Sequence, residues 1–111
     1  MMISFECIVH EGYVPEDIRP DLAGELARIS TSILGDSPDD VDVEFIEIPR
    51  GYGFTGGELA SRSAVKGLIP DGCEQETRHR LLREISDRWC EITGCSTDDL
   101  GVSAHDRSHQ G

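Results

Sequence analysis

Apolar and polar positions alternate at the start of the chain: Ile3, Phe5, Cys7 and Val9 fall on one side of an extended segment, and Ser4, Glu6 and Ile8 on the other. A period of two predicts a β-strand over 3–9 with one face fully buried, ended by His10-Glu11-Gly12. The period then lengthens. Ile18, Leu22, Leu26, Ile29 and Ile33 recur at helical spacing, which predicts an amphipathic helix. Pro15 and Glu16 suit its opening turn, Pro20 is either tolerated there or sets the start at about residue 19, and Gly35 is a natural stop. A polar link at 36–40 leads to a second strand over 41–49, where Val41, Val43 and Phe45 alternate with Asp42 and Glu44 before Ile46 and Ile48 join the apolar set. The glycine-rich RGYGFTGG at 50–57 reads as a turn region. A third strand near 64–69, a turn at Gly72 and a second helix over about 74–93 follow, the helix carrying Leu81, Leu82, Ile85, Trp89 and Ile92 and stopping at Gly94. A last strand is predicted near 100–104. From His105 onward no apolar pattern remains, and 107–111 is expected to fray.

Displaced by about 59 positions, the chain overlays on itself. Arg19 meets Arg78, Leu22 meets Leu81, Glu25 meets Glu84, Ile33 meets Ile92, and Gly35 meets Gly94. Ser37 then meets Ser96, Asp39-Asp40 meets Asp98-Asp99, and Val43 meets Val102. Each half is therefore one strand–helix–strand unit, with half-repeats at about 1–49 and 61–106 inside a single domain over 1–106. Parallel strands joined by a helix form a β-α-β unit. Two tandem units predict an α/β fold with a four-stranded mixed sheet and both helices on one face. The opposite face, carrying Ile8, Ile46 or Ile48, needs a cover, and the chain holds no third layer, so a further copy of the same chain is the expected cover.

Bulk composition narrows the partners. The chain has 111 residues, enough for one modest core, and a net charge of −12 from 22 acidic and 10 basic residues. That field repels phosphate backbones and anionic lipid, so neither nucleic acid nor a membrane is an expected partner. No apolar run reaches spanning length, and the opening MMISFECIV has no basic segment or cleavage site, so a cytoplasmic location is expected. Cys7, Cys73, Cys90 and Cys95 form no CxxC pair and read as free thiols, most of them core fillers. Cys90, Cys95, His105 and His109 lack zinc-finger spacing, and Cys90 falls inside the predicted helix, so no metal is expected. RGYGFTGG has no Lys-Ser/Thr ending for a phosphate loop, Asp36, Asp39 and Asp40 lack calcium-loop spacing, and no cofactor is expected.

The repeat, the segment VDVEFIEIPRGYGFTGGELAS at 41–61 and the turn-helix GCEQETRHRLLREIS at 72–86 together resemble the tautomerase superfamily, which includes 4-oxalocrotonate tautomerase, macrophage migration inhibitory factor and malonate semialdehyde decarboxylase. Gly56-Gly57-Glu58-Leu59-Ala60-Ser61 is similar to the segment that closes the 4-oxalocrotonate tautomerase subunit, and 72–86 to that family's Gly-Arg-Ser-x-Glu-Gln-Lys turn and helix. The resemblance implies a homotrimer and an active site at the start of the first strand, walled by a neighbouring subunit. The family's chemistry uses an amino-terminal proline as general base on small enol or oxo acids, with arginines holding substrate carboxylates.

Against that pattern the chain reads Met1-Met2 where the family has its proline, Gly12-Tyr13 and Gly72-Cys73 where it has Gly-Arg, and Asp42 where an arginine follows the first helix. The Met1 α-amine and His10 are the candidate bases. The candidate substrate-binding residues are Tyr13, Asp42, Arg50, Tyr52, Phe54, Arg62 and Cys73. Tyr52 and Phe54 fall where the family places an aromatic wall, though packing between subunits would use them equally well. Arg50, Arg62 and Lys66 are the cations near that segment, and solvated charge is their simplest alternative. Cys73, at a turn before a helix, is placed to have its thiol activated. Two functions follow: an isomerase acting on a small enol or oxo acid with altered catalytic groups, or a non-catalytic trimer of the same fold that binds a small molecule or a protein.

Overall fold

The structure, a computed structural model, describes residues 3–35, 37–49, 54–55, 58–59 and 62–106, the two short pairs as backbone alone. Four strands make one sheet: β1 (Ile3–His10), β2 (Val41–Ile48), β5 (Ser63–Ile69) and β6 (Leu100–Asp106), in the order β2-β1-β5-β6. β1 runs parallel to β2, β5 runs parallel to β6, and the two units meet antiparallel along β1 and β5. The mixed four-stranded sheet with two helices is the architecture read from the repeat. Two further short strands pair as a hairpin, β3 (Phe54–Thr55) inside the turn region read at 50–57 and β4 (Glu58–Leu59) just beyond it.

The helices α1 (Arg19–Leu34) and α2 (Gln75–Thr93) close one face of the sheet. Strand alternation places Ile3, Phe5, Cys7 and Val9 of β1 and Val65 and Ile69 of β5 under them, all essentially without solvent exposure. Leu22, Leu26 and Ile29 of α1 and Leu81, Ile85 and Trp89 of α2 complete this core. Pro20 lies in the first turn of α1, where its missing N–H costs nothing, and a short 3₁₀ turn (Glu16–Ile18) precedes the helix. Gly35 and Gly94 end the two helices at φ 80° and 78°, a left-handed conformation that an L-residue with a Cβ avoids. Ser37 and Ser96 then cap matching 3₁₀ turns by accepting the N–H of Asp39 and Asp98.

The repeat extends to ion pairs. Arg19 bonds Glu47 at 3.0 Å, and 59 positions on, Arg78 bonds Asp106 at 2.6 Å, so each unit ties the start of its helix to the end of its second strand. This pair explains why β6 continues two residues beyond its predicted end: His105 and Asp106 pair with Leu68 and Ile69, although neither adds to an apolar pattern. The expected fraying at 107–111 lies outside the described residues. Among the described residues no helix is long and apolar enough to cross a membrane.

Candidate functional site

The face of the sheet away from the helices is read from register. At the start of β1 it carries a row of Asp42, Ser4, Leu68 and His105 across the four strands, and the next row is Glu44, Glu6, Lys66 and Ser103. A third row, Ile46, Ile8, Ala64 and Gly101, is apolar, and Ile46 stands 38% exposed. The Arg62 guanidinium lies over Gly101, within 3.4 Å of where a Cβ there would stand, so the missing side chain makes room for it. Acids thus dominate the end of this face where β1 begins, and a cation, Arg62, lies at the other.

Two cavities open beside the helix ends, and the repeat relates them. The first, about 230 Å³, is lined by Tyr13, Val14, Ser63, Trp89, Thr93, Gly94, Cys95 and Asp99. The second, about 260 Å³, is lined by Ile33, Leu34, Pro70, Asp71, Gly72, Cys73, Glu74 and Thr77. Tyr13 and Cys73 are corresponding residues, each following a glycine at φ 88°. In the first cavity Trp89 is held by stacking on Phe45, ring centres 6.3 Å apart, and Phe45 in turn sits under the Arg19 guanidinium at 5.7 Å. Arg19 is occupied by the Val14 carbonyl and Glu47, so it braces the wall and does not enter the space. The lining offers three hydroxyls, a thiol, a carboxylate and an indole, with no positive charge, and so suits a small polar ligand better than a dianion.

The structure separates the residues that the sequence singled out. Asp42 and Cys73 lie at the end where β1 begins, Asp42 directly beside Ser4. His10, buried at the last position of β1, lies at the opposite end with Tyr13, which is 54% exposed, and Arg62. Six strand steps of roughly 3.3 Å, from Ser4 to His10, put the two groups about 20 Å apart within one copy. Met1, Arg50 and Tyr52 lie outside the described residues, as does the Phe54 side chain; the Phe54 backbone belongs to β3. Sequence reasoning missed Ser63, Thr93, Cys95 and Asp99 as cavity residues, because nothing in their local pattern marks them. It took Trp89 as core alone, and His105 only as part of a rejected zinc pattern. Among the described residues no three His, Cys, Asp or Glu side chains converge as a metal site requires.

No protein-family model matches the chain, and no curated protein matches it in sequence. Solved structures do. Native Ps01740 superposes with a TM-score of 0.89 at 33% identity, over 93% of this chain and 92% of that one. N1, a member of the cis-3-chloroacrylic acid dehalogenase family, gives 0.86 at 18% identity, over 93% and 73% of the two chains. The asymmetric trimer of F6 wild-type fused 4-OT gives 0.85 at 15% identity, over 93% and 85%. The last two likenesses concern fold, while the first is a sequence relationship along nearly the full length of both chains. With the repeat, the sheet order and these neighbours in agreement, this chain belongs to the tautomerase superfamily.

Proposed function

We propose that the chain is a cytoplasmic isomerase that moves a proton on a small enol or oxo acid by general acid–base catalysis, working as a homotrimer. The observation that carries this reading is the fold shared with fused 4-OT, itself a trimer, in a chain that is also 33% identical to Ps01740 over nine-tenths of its length. The site is the start of β1, on a domain spanning 1–106. In this reading Met1 contributes its α-amine as base and the His105 imidazole exchanges protons with the substrate, a role supported by its lying in the same cross-strand row as Ser4. Tyr13, His10 and Arg62 lie too far along the sheet to join Asp42 and Cys73 within one copy, so a neighbour supplies them, together with the segment of Arg50, Tyr52 and Phe54 as a wall.

A second reading is favoured by one specific feature. Asp42 stands where the family has an arginine, and Glu6 and Glu44 occupy the adjacent row, so a substrate dianion meets repulsion where the family provides attraction. On that ground the alternative is a non-catalytic trimer binding a small molecule or a protein. The discriminating experiment is ketonisation of phenylenolpyruvate followed against pH, with the intact mass of the same sample fixing which residue carries the free amine. A rate above buffer that rises through the α-amine range, about pH 8, and falls in a His105→Gln variant supports the isomerase. A rate equal to buffer at every pH removes it and leaves the binding reading.

A further inference from the structure

Cys90 and Cys95 are five residues apart, a spacing that matches no thiol motif, yet their sulfurs stand 3.1 Å apart. The cause is the way α2 ends. Gly94 turns the chain into the left-handed region and donates its N–H to the Cys90 carbonyl at 2.8 Å. Thr93 fixes the reversal from the other side: its hydroxyl donates to the Trp89 carbonyl at 2.8 Å and accepts the Cys95 N–H at 3.3 Å. Cys95 is thereby folded back onto the last turn of the helix and held there. A disulfide needs the sulfurs about 2.05 Å apart, so closure takes an approach of about 1 Å.

The fold itself does not require this pair. The first unit ends its helix the same way, Gly35 at φ 80° donating to the Thr31 carbonyl at 3.0 Å, and there the corresponding residues are Thr31 and Asp36. A helix of this fold therefore stops in the same way without cysteines at the corresponding sequence positions. The other two thiols are placed differently. Cys7 is sealed in the core, where burial and the neighbouring Glu6 push its thiol up to about 12. Cys73 is engaged with the Glu74 carbonyl on the second cavity.

We propose that Cys90 and Cys95 are a site of reversible oxidation, closing to an intramolecular disulfide that pins the wall of the first cavity to the end of α2. Cys95 lines that cavity and is the sulfur a small oxidant meets first. Cys90, whose thiol burial and the hydrogen bond to Cys95 push up to about 12, stays protonated behind it as the resolving group. With a hydroperoxide as oxidant, the Cys95 thiolate attacks one peroxide oxygen, the O–O bond breaks, and Cys95 sulfenic acid and one hydroxyl product form. The Cys90 sulfur then attacks Cys95 sulfur, the S–O bond breaks, and the departing hydroxide leaves as water with the Cys90 proton. The two thiols lose two electrons and two protons, and the peroxide oxygens end in two hydroxyl products. An external dithiol reverses the reaction by exchange. The proposal does not rest on the isomerase reading, since the two sulfurs meet at the end of α2 whether or not Tyr13 of the same cavity serves a neighbour's site.

The test is intact mass and peptide mapping of the reduced protein after treatment with stoichiometric hydrogen peroxide. The expected result is a loss of about 2 Da, restored by dithiothreitol, with the link mapped between Cys90 and Cys95. A Cys73→Ser variant should behave identically. Cys90→Ala should instead gain about 16 Da on Cys95, and Cys95→Ser should show neither change, which keeps the assignment testable if one variant folds poorly. Oxygen uptake without the two-hydrogen loss in the wild-type chain, or a link made through Cys73 or between copies, overturns the proposal.

Discussion

Two glycines on neighbouring strands show how the same substitution acts differently by what lies beside it. A Cβ at Gly67 would stand 2.9 Å from Phe5 Cε1, an aromatic ring locked in the core, while at Gly101 it would meet the flexible end of Arg62 at 3.4 Å. Gly67→Ala should therefore cost about 1–3 kcal/mol by overpacking, whereas Gly101→Ala should leave stability within about 0.5 kcal/mol and displace only the guanidinium. Urea unfolding of both variants checks the contrast; equal costs would mean that Phe5 moves aside. At this scale the sequence marks both residues only as glycines inside strands. Which neighbour each one faces depends on the antiparallel register of β1 against β5 and the parallel register of β5 against β6.

Between elements, the two helices are joined by charge as well as by apolar contact. Glu25 of α1 accepts from Arg28 on its own helix and from Arg88 on α2, and Arg88 also bonds Glu91. The bonds from Arg28 and Arg88 hold the Glu25 carboxyl below its ordinary value of 4.5. A carboxyl lowered in the folded state contributes stability that is fully present above its unfolded pKa and is lost as pH falls through the folded one. The melting temperature should therefore drop between about pH 5 and pH 3, and Glu25→Gln should flatten that drop while lowering the neutral-pH value by no more than a few degrees. Scanning calorimetry of both proteins across that range is the measurement, and parallel curves would show that other carboxylates dominate. The periodicity disclosed both helices, and the repeat disclosed Arg19 with Arg78 as a pair. Their partners Glu47 and Asp106 lie at strand ends, where polar residues break the pattern that sequence reading follows.

For the whole molecule, the proposed assembly rests on the open sheet face. Its apolar row, with Ile46 exposed, lies beside the two rows that hold Asp42, Glu44 and Glu6, and each copy adds a charge of −12. The proposed trimer therefore balances apolar burial against like-charge repulsion. Light scattering should give about three times 12.2 kDa, tightening as salt screens the repulsion, and Ile46→Lys should shift the protein toward monomer. A monomer at every ionic strength would remove the homotrimer and the neighbour-walled site with it.

The order of elements, the two units and the helix stops were legible in the chain because each rests on local rules: a period of two or of 3.6 residues, and a glycine where the backbone must turn left-handed. The four-stranded sheet followed once the repeat made each unit a strand–helix–strand pair, whereas the order β2-β1-β5-β6 came from the structure. The site was a different matter. His10, Tyr13, Arg62, Asp42 and Cys73 looked like one constellation along the sequence, and the sheet parts them by the length of a strand. The cavity beside Trp89 and the contact of Cys90 with Cys95 come from how α2 ends against the turn after β1 and the entry to β6. Such contacts join residues distant in the chain or folded back through a helix stop, so no local period records them. Only the tertiary structure could decide them.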